Sequence, residues 1–543
     1  MSVRVFGVDE SELPGWGPYR EWFREQWAAG GAGAWLVALG HLLAGLILFG
    51  VVLSLPLGAG GGILALAYVA LLAVVLYAAT APPAEPYTAW LHEKWLQNDA
   101  SKLFIVVGHA IVGFFVLAVL LGLPFNGFAG ALQSMLFFTA VYAMAVLALN
   151  LHWGYAGIFN IGVAGFMAVA YYVTAIASSP VDPGTTGVPG LGLPLSVGIL
   201  LGILAAAVVG FIAALPALRL KADYFAIVTV ALSEIIRITL RSRSLQTFEL
   251  PFLGTIGTGG AAGKGFPSNP LRLLFYDGYG ASAQPALLGD LLFPLFSGLS
   301  IVVIPDGYQV NLGVTTLPID FTLDLGMQPS VIFGLFYVFV LAAFVGLFFW
   351  LLRRVGNSPF GRVLKAIRED EEVAQSLGKN TPKFKLISFA FGCGLMGLAG
   401  ILWIGSQGYT NPNGFKPILT FYIWVALIIG GAGSNVGSVL GASLFASALW
   451  VGPVYLKNVV ESFVNLPSPP NNVLDALAPL VGGQVVPLFA FLLNNIANLR
   501  LVFIGVLLIW LMQRRPEGLL GHRKEEAAAI PLSKPTRGGE TNE

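Results

Sequence analysis

VIFGLFYVFVLAAFVGLFFWLL, residues 331–352, contains no charged residue and no proline. Wound as a helix at ~1.5 Å per residue, a run of this length covers the ~30 Å hydrocarbon core of a bilayer. It ends at Arg353-Arg354, a basic pair of the kind that marks a cytoplasmic membrane boundary. Comparable runs lie at 34–57, 61–80, 102–123, 127–149, 156–178, 195–216, 225–241, 384–406, 417–433, 435–456 and 500–513. The whole chain has a mean hydropathy of +0.79 and is 10% charged, where a soluble protein carries roughly 25%. The reading is all-α: a polytopic integral membrane protein of about 12 transmembrane helices, within a range of about 10–14. The short alternating segments of a membrane β-barrel are largely absent.

Basic residues orient the spans. Arg219 and Lys221, Arg353 and Arg354, and Arg514 and Arg515 all fall on one side if twelve runs cross. By the positive-inside rule that side is the cytoplasm. Both termini then share it, on the inner side of a cell membrane. The N-terminal stretch MSVRVFGVDESELPGWGPYREWFREQWAAG has no short apolar core with a cleavage site and is read as a tail, not a signal peptide.

Two runs, 286–304 and 478–495, are long enough to challenge the count, but Asp290 and Pro294 interrupt the first. Both are placed outside. Beyond 304, Asp306-Gly307 between β-branched residues, followed by alternating Tyr308, Val310, Leu312 and Val314, suggests a hairpin with a tight turn. That gives a small external β element within 264–330.

One passage is dense in charge: GRVLKAIREDEEVAQSLGKNTPKFK, residues 361–385. Ser358-Pro359 offers an N-cap and a proline at the first helical position. Val363, Ala366 and Ile367 give the following helix a narrow apolar stripe. Asp370 can cap a second short helix with Glu371 and Glu372 at its positive end, and Gly378 can close it in a left-handed conformation. Two short amphipathic helices at the cytoplasmic surface follow. A plain solvated loop is the simpler alternative.

Several function classes are disfavoured. A net charge of +1 gives no basic face for nucleic acid. The single Cys393 permits no internal disulfide or thiolate cluster, and the five histidines show no metal-ligand spacing. No cofactor or metal site is expected. G-x-x-x-x-G-K-[ST] does not occur; Gly263-Lys264 is followed by Gly265. Any ATP-driven motor must therefore be another polypeptide. A membrane enzyme would need a polar catalytic constellation at one face, and none is apparent. An ion-coupled secondary transporter predicts more ionisable groups at bilayer depth than Glu234 and Arg237 supply.

Five stretches in order carry a family resemblance: ALNLHWGYAGIFNIGVAGFMAVAYY (148–172), LRLKADYFAIVTVALSEIIRI (218–238), GRVLKAIREDEEVAQSLGKN (361–380), GGAGSNVGSVLGA (430–442) and RRPEGLLG (514–521). Glu372, Ala374 and Gly378 also keep the E-x-A-x-x-x-G spacing of the coupling loop in ABC importer permeases. Together these resemble the M-type permease subunit of branched-chain amino-acid ABC importers. The resemblance divides the chain into a cytoplasmic tail (1–33), added membrane helices (34–126), a first core half (127–260) and an external insertion (261–330). A second core half (331–456) with the coupling loop at 357–383, a further external insertion (457–499), the last helix (500–521) and a cytoplasmic tail (522–543) follow.

The resemblance implies import of leucine, isoleucine or valine, with urea or short amides as the alternative cargo of the same machine. It implies a second related permease subunit, two ATP-binding cassette subunits and an external substrate-binding protein as partners, besides membrane lipid. It assigns ATPase coupling to Gly361, Arg362, Ala366, Arg368, Glu369, Glu372, Ala374 and Gly378. It also places Thr258, Gly259 and Gly260 at a turn facing the binding protein.

The remaining residues admit two readings each. Asn150, Gly154 and Gly157, then Asn160, Gly162 and Gly165, interrupt an apolar stretch. Unwound backbone at membrane depth lines a pathway or meets protein, whereas small residues serve close helix packing. The glycines favour packing and Asn160 favours the pathway. His152 is expected at the membrane interface. Glu234 and Arg237, three apart on the seventh span, form a structural ion pair or a polar patch passed by a zwitterion, with Thr229 and Ser233 on or near the same face. GGAG at 430–433 is read as a tight reversal between spans.

Overall fold

The structure, a computed structural model, describes residues 125–182, 187–217, 222–251, 254–265, 326–463, 466–514 and 516–520, with short pieces at 4–9 and 275–324. The expected spans at 34–57, 61–80 and 102–123, the tail 522–543, and Arg219, Lys221 and Arg515 lie outside the described residues.

Helix α1 (Phe125–Asn150) runs into a π turn (Leu151–Tyr155), and seven residues, 156–162, separate that turn from α2 (Val163–Ser178). Then come α3 (Leu195–Ala217), α4 (Ala222–Arg241), α5 (Leu287–Ser297) and α6 (Pro329–Asn357). The charged passage forms α7 (Pro359–Glu369) and α8 (Glu371–Ser376), and α9 (Thr381–Gly405) follows. The remainder is α10 (Ile418–Gly430), α11 (Asn435–Ser443) with a π continuation (Leu444–Val451), α12 (Gly452–Phe463), α13 (Val473–Leu477), α14 (Val486–Asn494) and α15 (Ile496–Arg514).

Among the described residues, 7 helices are long and apolar enough to cross a membrane. α2 is shorter, because the expected span at 156–178 begins only at Val163. α4 fills the expected span at 225–241 but carries Glu234, Arg237 and Arg241. The two ambiguous runs are settled by length. Residues 286–304 give the 11-residue α5 and then a strand, and 478–495 give a 3-10 turn and the 9-residue α14. At ~1.5 Å per residue neither can span.

The expected hairpin is corrected. Ser300–Ile304 pairs antiparallel with Phe321–Asp324, and Gln309–Asn311 pairs with Thr316–Pro318. The strands expected to flank an Asp306-Gly307 turn pair elsewhere, and that turn lies outside the described residues. Alternation names a strand and its faces, but not its partner.

The chain forms two compact units. One comprises 1–139, 270–340 and 446–506. In it Phe275, fully buried, meets the rings of Phe336 at 5.1 Å and Phe333 at 5.4 Å. The Tyr455 hydroxyl donates to Ser134 Oγ (3.2 Å), and the Arg500 guanidinium lies 3.7 Å over the Trp450 ring.

The other unit comprises 140–269, 341–445 and 507–543. Its core is α2, α3 and α9, packed through small residues. A Cβ at Gly400 would lie 2.7 Å from Met167 Cβ, and one at Gly210 would lie 2.6 Å from Cys393 Sγ. In lipid, where apolar burial gives no net drive, such close approach supplies the attraction. The opposite face of α3 exposes Leu200, Leu204, Val208, Ile212 and Leu215, as a lipid-facing helix does.

A Cβ at Gly397 would stand 2.8 Å from Ala170 Cβ and 2.9 Å from Ala206 Cβ, whereas one at Gly346 meets nothing within 4 Å. Gly397→Val is therefore expected to cost about 1–3 kcal/mol by overpacking and to lower the Tm of the detergent-solubilised protein. Gly346→Ala, with open space and better helix propensity, should leave Tm unchanged or slightly raised.

Candidate functional site

The site is built around the chain between α1 and α2, where helical hydrogen bonding fails. Asn150 is fully buried; its Nδ2 donates to Asn435 Oδ1 (3.1 Å) and its Oδ1 accepts from Gly433 N (2.8 Å). The Tyr155 hydroxyl donates to the same Asn435 oxygen (2.9 Å). Gly154 must be glycine: a Cβ there would lie 2.0 Å from Asn150 Oδ1 and 2.5 Å from Gly433 N. The 430–433 turn takes the expected form, with Gly431 at φ 100° and Gly433 at φ 88°. Ser434 then caps α11 through Gly437 N. Leu519 N and Leu520 N donate to the Ile429 and Gly430 carbonyls (2.9 Å each), so the closing RRPEGLLG motif seals the end of α10.

The second half of the break rests on Asn160, fully buried with each polar group engaged. Its Nδ2 donates to His152 Nδ1 (3.1 Å), its Oδ1 accepts from Gly162 N (2.7 Å), and its carbonyl accepts from Trp424 Nε1 (2.9 Å). Ile161 N donates to Thr229 Oγ1 and Ala164 N to Thr420 Oγ1, both at 3.0 Å. Thus the backbone donors and acceptors released by the break meet side chains from α4, α10 and the segment itself.

His152 corrects the expectation of an interfacial residue. It is fully buried, stacked on Phe389 at 4.7 Å, with Nε2 3.1 Å from the Phe389 carbonyl. These partners fix the tautomer: Nε2–H donates and Nδ1 accepts. The missed signal was Gly392, where a Cβ would lie 2.1 Å from His152 Nε2.

The expected pathway residues separate into two groups. Thr229 and Ser233 are buried beneath the start of α2, where a Cβ at Gly162 would lie 2.7 Å from the Thr229 carbonyl and one at Gly165 would lie 2.8 Å from Ser233 Cα. Ser233 Oγ has no hydrogen-bond partner among the described residues. Glu234 and Arg237 pair through two bonds, Nε–Oε2 at 2.9 Å and Nη2–Oε1 at 2.5 Å. Arg237 Nη1 also donates to Asn413 Oδ1 (2.7 Å). Their side chains are 38% and 12% exposed, respectively.

The charged passage has the expected caps. Ser358 Oγ accepts from Gly361 N (3.2 Å), Pro359 opens α7, Asp370 Oδ1 accepts from Val373 N (3.0 Å), and Gly378 has φ 75°. The apolar stripe is corrected: the buried positions are Gly361, Leu364 and Ile367, while Ala366 is exposed and Val363 half-buried. On α8, Ala374 is buried, whereas Glu372, Val373 and Leu377 face outward, Leu377 being 72% exposed. Arg362 and Glu369 are exposed. Arg368 is exposed as well, but one arm of its guanidinium reaches the π turn, Nη1 donating to the Gly154 carbonyl. Glu371 holds the loop to α9 by accepting from Lys385 Nζ (2.5 Å) and Thr381 Oγ1 (3.0 Å).

In the sequence Lys264 stands out only as part of a failed phosphate-loop signature. It is buried, and its Nζ donates to the carbonyls of Val188 (2.8 Å) and Pro189 (2.9 Å). The strand Lys264–Gly265 pairs with Tyr409–Thr410. Nearby, Thr258 is buried, accepting from Gly260 N (3.1 Å), with Gly259 and Gly260 at positive φ.

Fold and site define a multi-pass membrane protein with one broken helix knotted to a capped, charged loop. The family model for the permease component of branched-chain amino acid transport systems matches residues 131–512, and the chain belongs to that family. The high-affinity branched-chain amino acid transport system permease protein LivM of Escherichia coli (strain K12) is 29% identical over 310 residues, 56% of this chain and 60% of that protein. The probable branched-chain amino acid transport permease protein LivM of Methanocaldococcus jannaschii is 24% identical over 355 residues, 60% of this chain and 83% of that protein. LivH of Salmonella typhimurium, also a high-affinity branched-chain amino acid transport system permease protein, is 29% identical over 109 residues, 20% of this chain and 35% of that protein. The chain thus spans about 60% of the length of the Escherichia coli relative. No solved structure matches it.

Two predictions follow from this geometry. Asn435→Leu removes the acceptor for Asn150 Nδ2 and Tyr155 O–H; at about 1–3 kcal/mol per orphaned buried group, Tm should fall clearly. Burial also lowers the Lys264 pKa from 10.5 to about 8. Between these values the unfolded chain binds more protons than the folded one, so stability should rise as pH increases from about 8 to about 10.5. Thermal unfolding across that range should show the rise, and Lys264→Met should flatten it.

Proposed function

We propose that this chain is the membrane-spanning permease subunit of an ATP-driven ABC importer of branched-chain amino acids: leucine, isoleucine and valine. It pairs with a second, related permease subunit. Two ATP-binding cassette subunits hydrolyse ATP on the cytoplasmic side, and an external binding protein delivers the solute. The loop at 357–383 and both termini lie in the cytoplasm.

The observation that carries this reading is the build of α7 and α8. Their inner face is anchored by Leu364, Ile367, Ala374 and the Glu371–Lys385 pair. Their outer face presents Arg362, Ala366, Glu369, Glu372, Val373 and Leu377. A fixed apolar pair, Val373 at 55% and Leu377 at 72% exposure, rimmed by charge of both signs, suits a protein groove: apolar anchors supply affinity, and charge sets register. Gly361 and Ala374 lie buried beneath this surface, and Gly378, exposed at φ 75°, turns the chain at its edge.

In the pathway reading, Glu234, Arg237 and the unpaired Ser233 hydroxyl are the groups suited to a zwitterionic solute. Asn160, Gly162, Gly165 and Thr229 have their groups or space engaged and act as the frame.

The test is reconstitution with the partner subunits. Glu372→Lys, Leu377→Asp and Gly378→Val are each expected to abolish copurification of the ATPase subunits and stimulated ATP hydrolysis, while membrane insertion persists. Normal stimulation in all three would end the docking assignment. Uptake of labelled leucine, isoleucine and valine into vesicles, measured against urea and acetamide, decides the cargo; uptake of the amides alone would replace the amino acids in this reading.

A further inference from the structure

Arg368 sits near the end of α7, exposed like its neighbours, and its guanidinium reaches across to the π turn. Its Nη1 donates to the Gly154 carbonyl in the π turn, while Glu369 Oε1 receives its Nε (3.1 Å) and Nη2. The carbonyl it holds belongs to the first part of the break, where a regular helix would have offered that oxygen to its own backbone.

Two glycines clear space for the side chain. A Cβ at Gly157, which has φ 66°, would lie 3.1 Å from Arg368 Cγ and 3.3 Å from its Cα. A Cβ at Gly433 would lie 3.2 Å from Arg368 Nη1. Gly154 and Gly433 are themselves tied through Asn150. One guanidinium therefore meets the broken segment and lies against the 430–433 turn. Among the described hydrogen bonds, those of Glu369, Asp370 and Glu371 go to Arg368, Val373, Thr381 and Lys385, away from that segment.

We propose that Arg368 is the positioning residue through which movement of the loop at 358–380 reaches the unwound backbone at 151–162. The proposal rests on the reading of that loop as the ATPase dock. When the docked loop shifts, the rigid α7 carries Arg368 with it. The Gly154 carbonyl must then follow or lose its donor. His152 and Asn160 are bonded to each other within the same segment, so a displacement at Gly154 passes along it toward Thr229 and Trp424. A methionine keeps most of the side-chain length but cannot donate; a lysine keeps a donor and a charge.

Two measurements test this. The first is hydrogen exchange on the full chain alone in lipid nanodiscs. Arg368→Met is expected to speed exchange of amides within 151–162 by at least about tenfold, and Arg368→Lys to stay within about threefold of wild type. The second is the amount of radiolabelled leucine moved per ATP hydrolysed by the reconstituted complex. In Arg368→Met this ratio should fall at least about fivefold while the ATPase subunits still copurify and ATP is still hydrolysed, and Arg368→Lys should recover most of it. Unchanged exchange in Arg368→Met overturns the proposal alone, whatever the complex does. So does a loss of uptake and hydrolysis in equal proportion, which would mark a merely structural residue. A wild-type chain that neither stimulates the ATPase subunits nor moves leucine defeats the docking reading and takes the proposal with it.

Discussion

A helix that stops inside an apolar bundle releases backbone donors and acceptors that lipid cannot satisfy, and each must find a partner within the protein. Between Asn150 and Val163 this chain makes that break, and much of the surrounding unit can be understood as the answer to it. Asn150 receives the Gly433 amide, Asn160 receives the Gly162 amide, Thr229 and Thr420 receive those of Ile161 and Ala164, and Trp424 and Arg368 donate to the carbonyls of Asn160 and Gly154. These partners come from elements far apart in sequence. At about 1–3 kcal/mol for each group left orphaned, the set is comparable with the roughly 5–15 kcal/mol by which a domain is commonly stable. The break can exist only if these elements converge on it.

That constraint accounts for the ordered motifs. The stretches at 148–172, 218–238, 361–380, 430–442 and 514–521 look unrelated as text. In the fold they are the broken segment, the helix supplying Thr229, the loop supplying Arg368, the turn supplying Gly433 and Asn435, and the strap that closes that turn through Leu519 and Leu520. The glycines among them have a shared geometric cause. At 154, 162 and 165 a Cβ would come within 3 Å of another group, and in each case that group belongs to the packing around the break.

What could be read from the sequence was local. Ser358, Pro359, Asp370 and Gly378 carry their cap chemistry in their own side chains and backbone preferences, so α7 and α8 were legible before any tertiary contact was known. The long apolar runs were legible because bilayer thickness sets their length. Legibility failed wherever the partner was distant. The buried stripe of α7 uses Leu364 where Ala366 was expected, since only the neighbouring helices decide which face turns inward. His152 looked interfacial because its slot is made by Gly392, more than two hundred residues away. The strand at 300–304 was visible as a β-branched run and that at 309–311 as alternation, yet their pairing with 321–324 and 316–318 was not. Lys264 gave no signal of burial, because its acceptors are two backbone carbonyls.

The same distinction explains why a loop can be exposed and mechanically connected at once. α7 buries Gly361, Leu364 and Ile367 at intervals of three, which leaves the rest of its circumference free. Its caps make it stiff without help from a partner, and Glu371, bonded to Thr381 and Lys385, fixes the start of the next helix to α9. A stiff element held along one side transmits displacement as a lever does, whereas a flexible loop of the same composition would absorb it. The charges that first set this passage apart therefore divide by direction. Glu372 and Arg362 keep the outer face in water, while Arg368, exposed as well, gives one guanidinium donor to a carbonyl of the broken backbone.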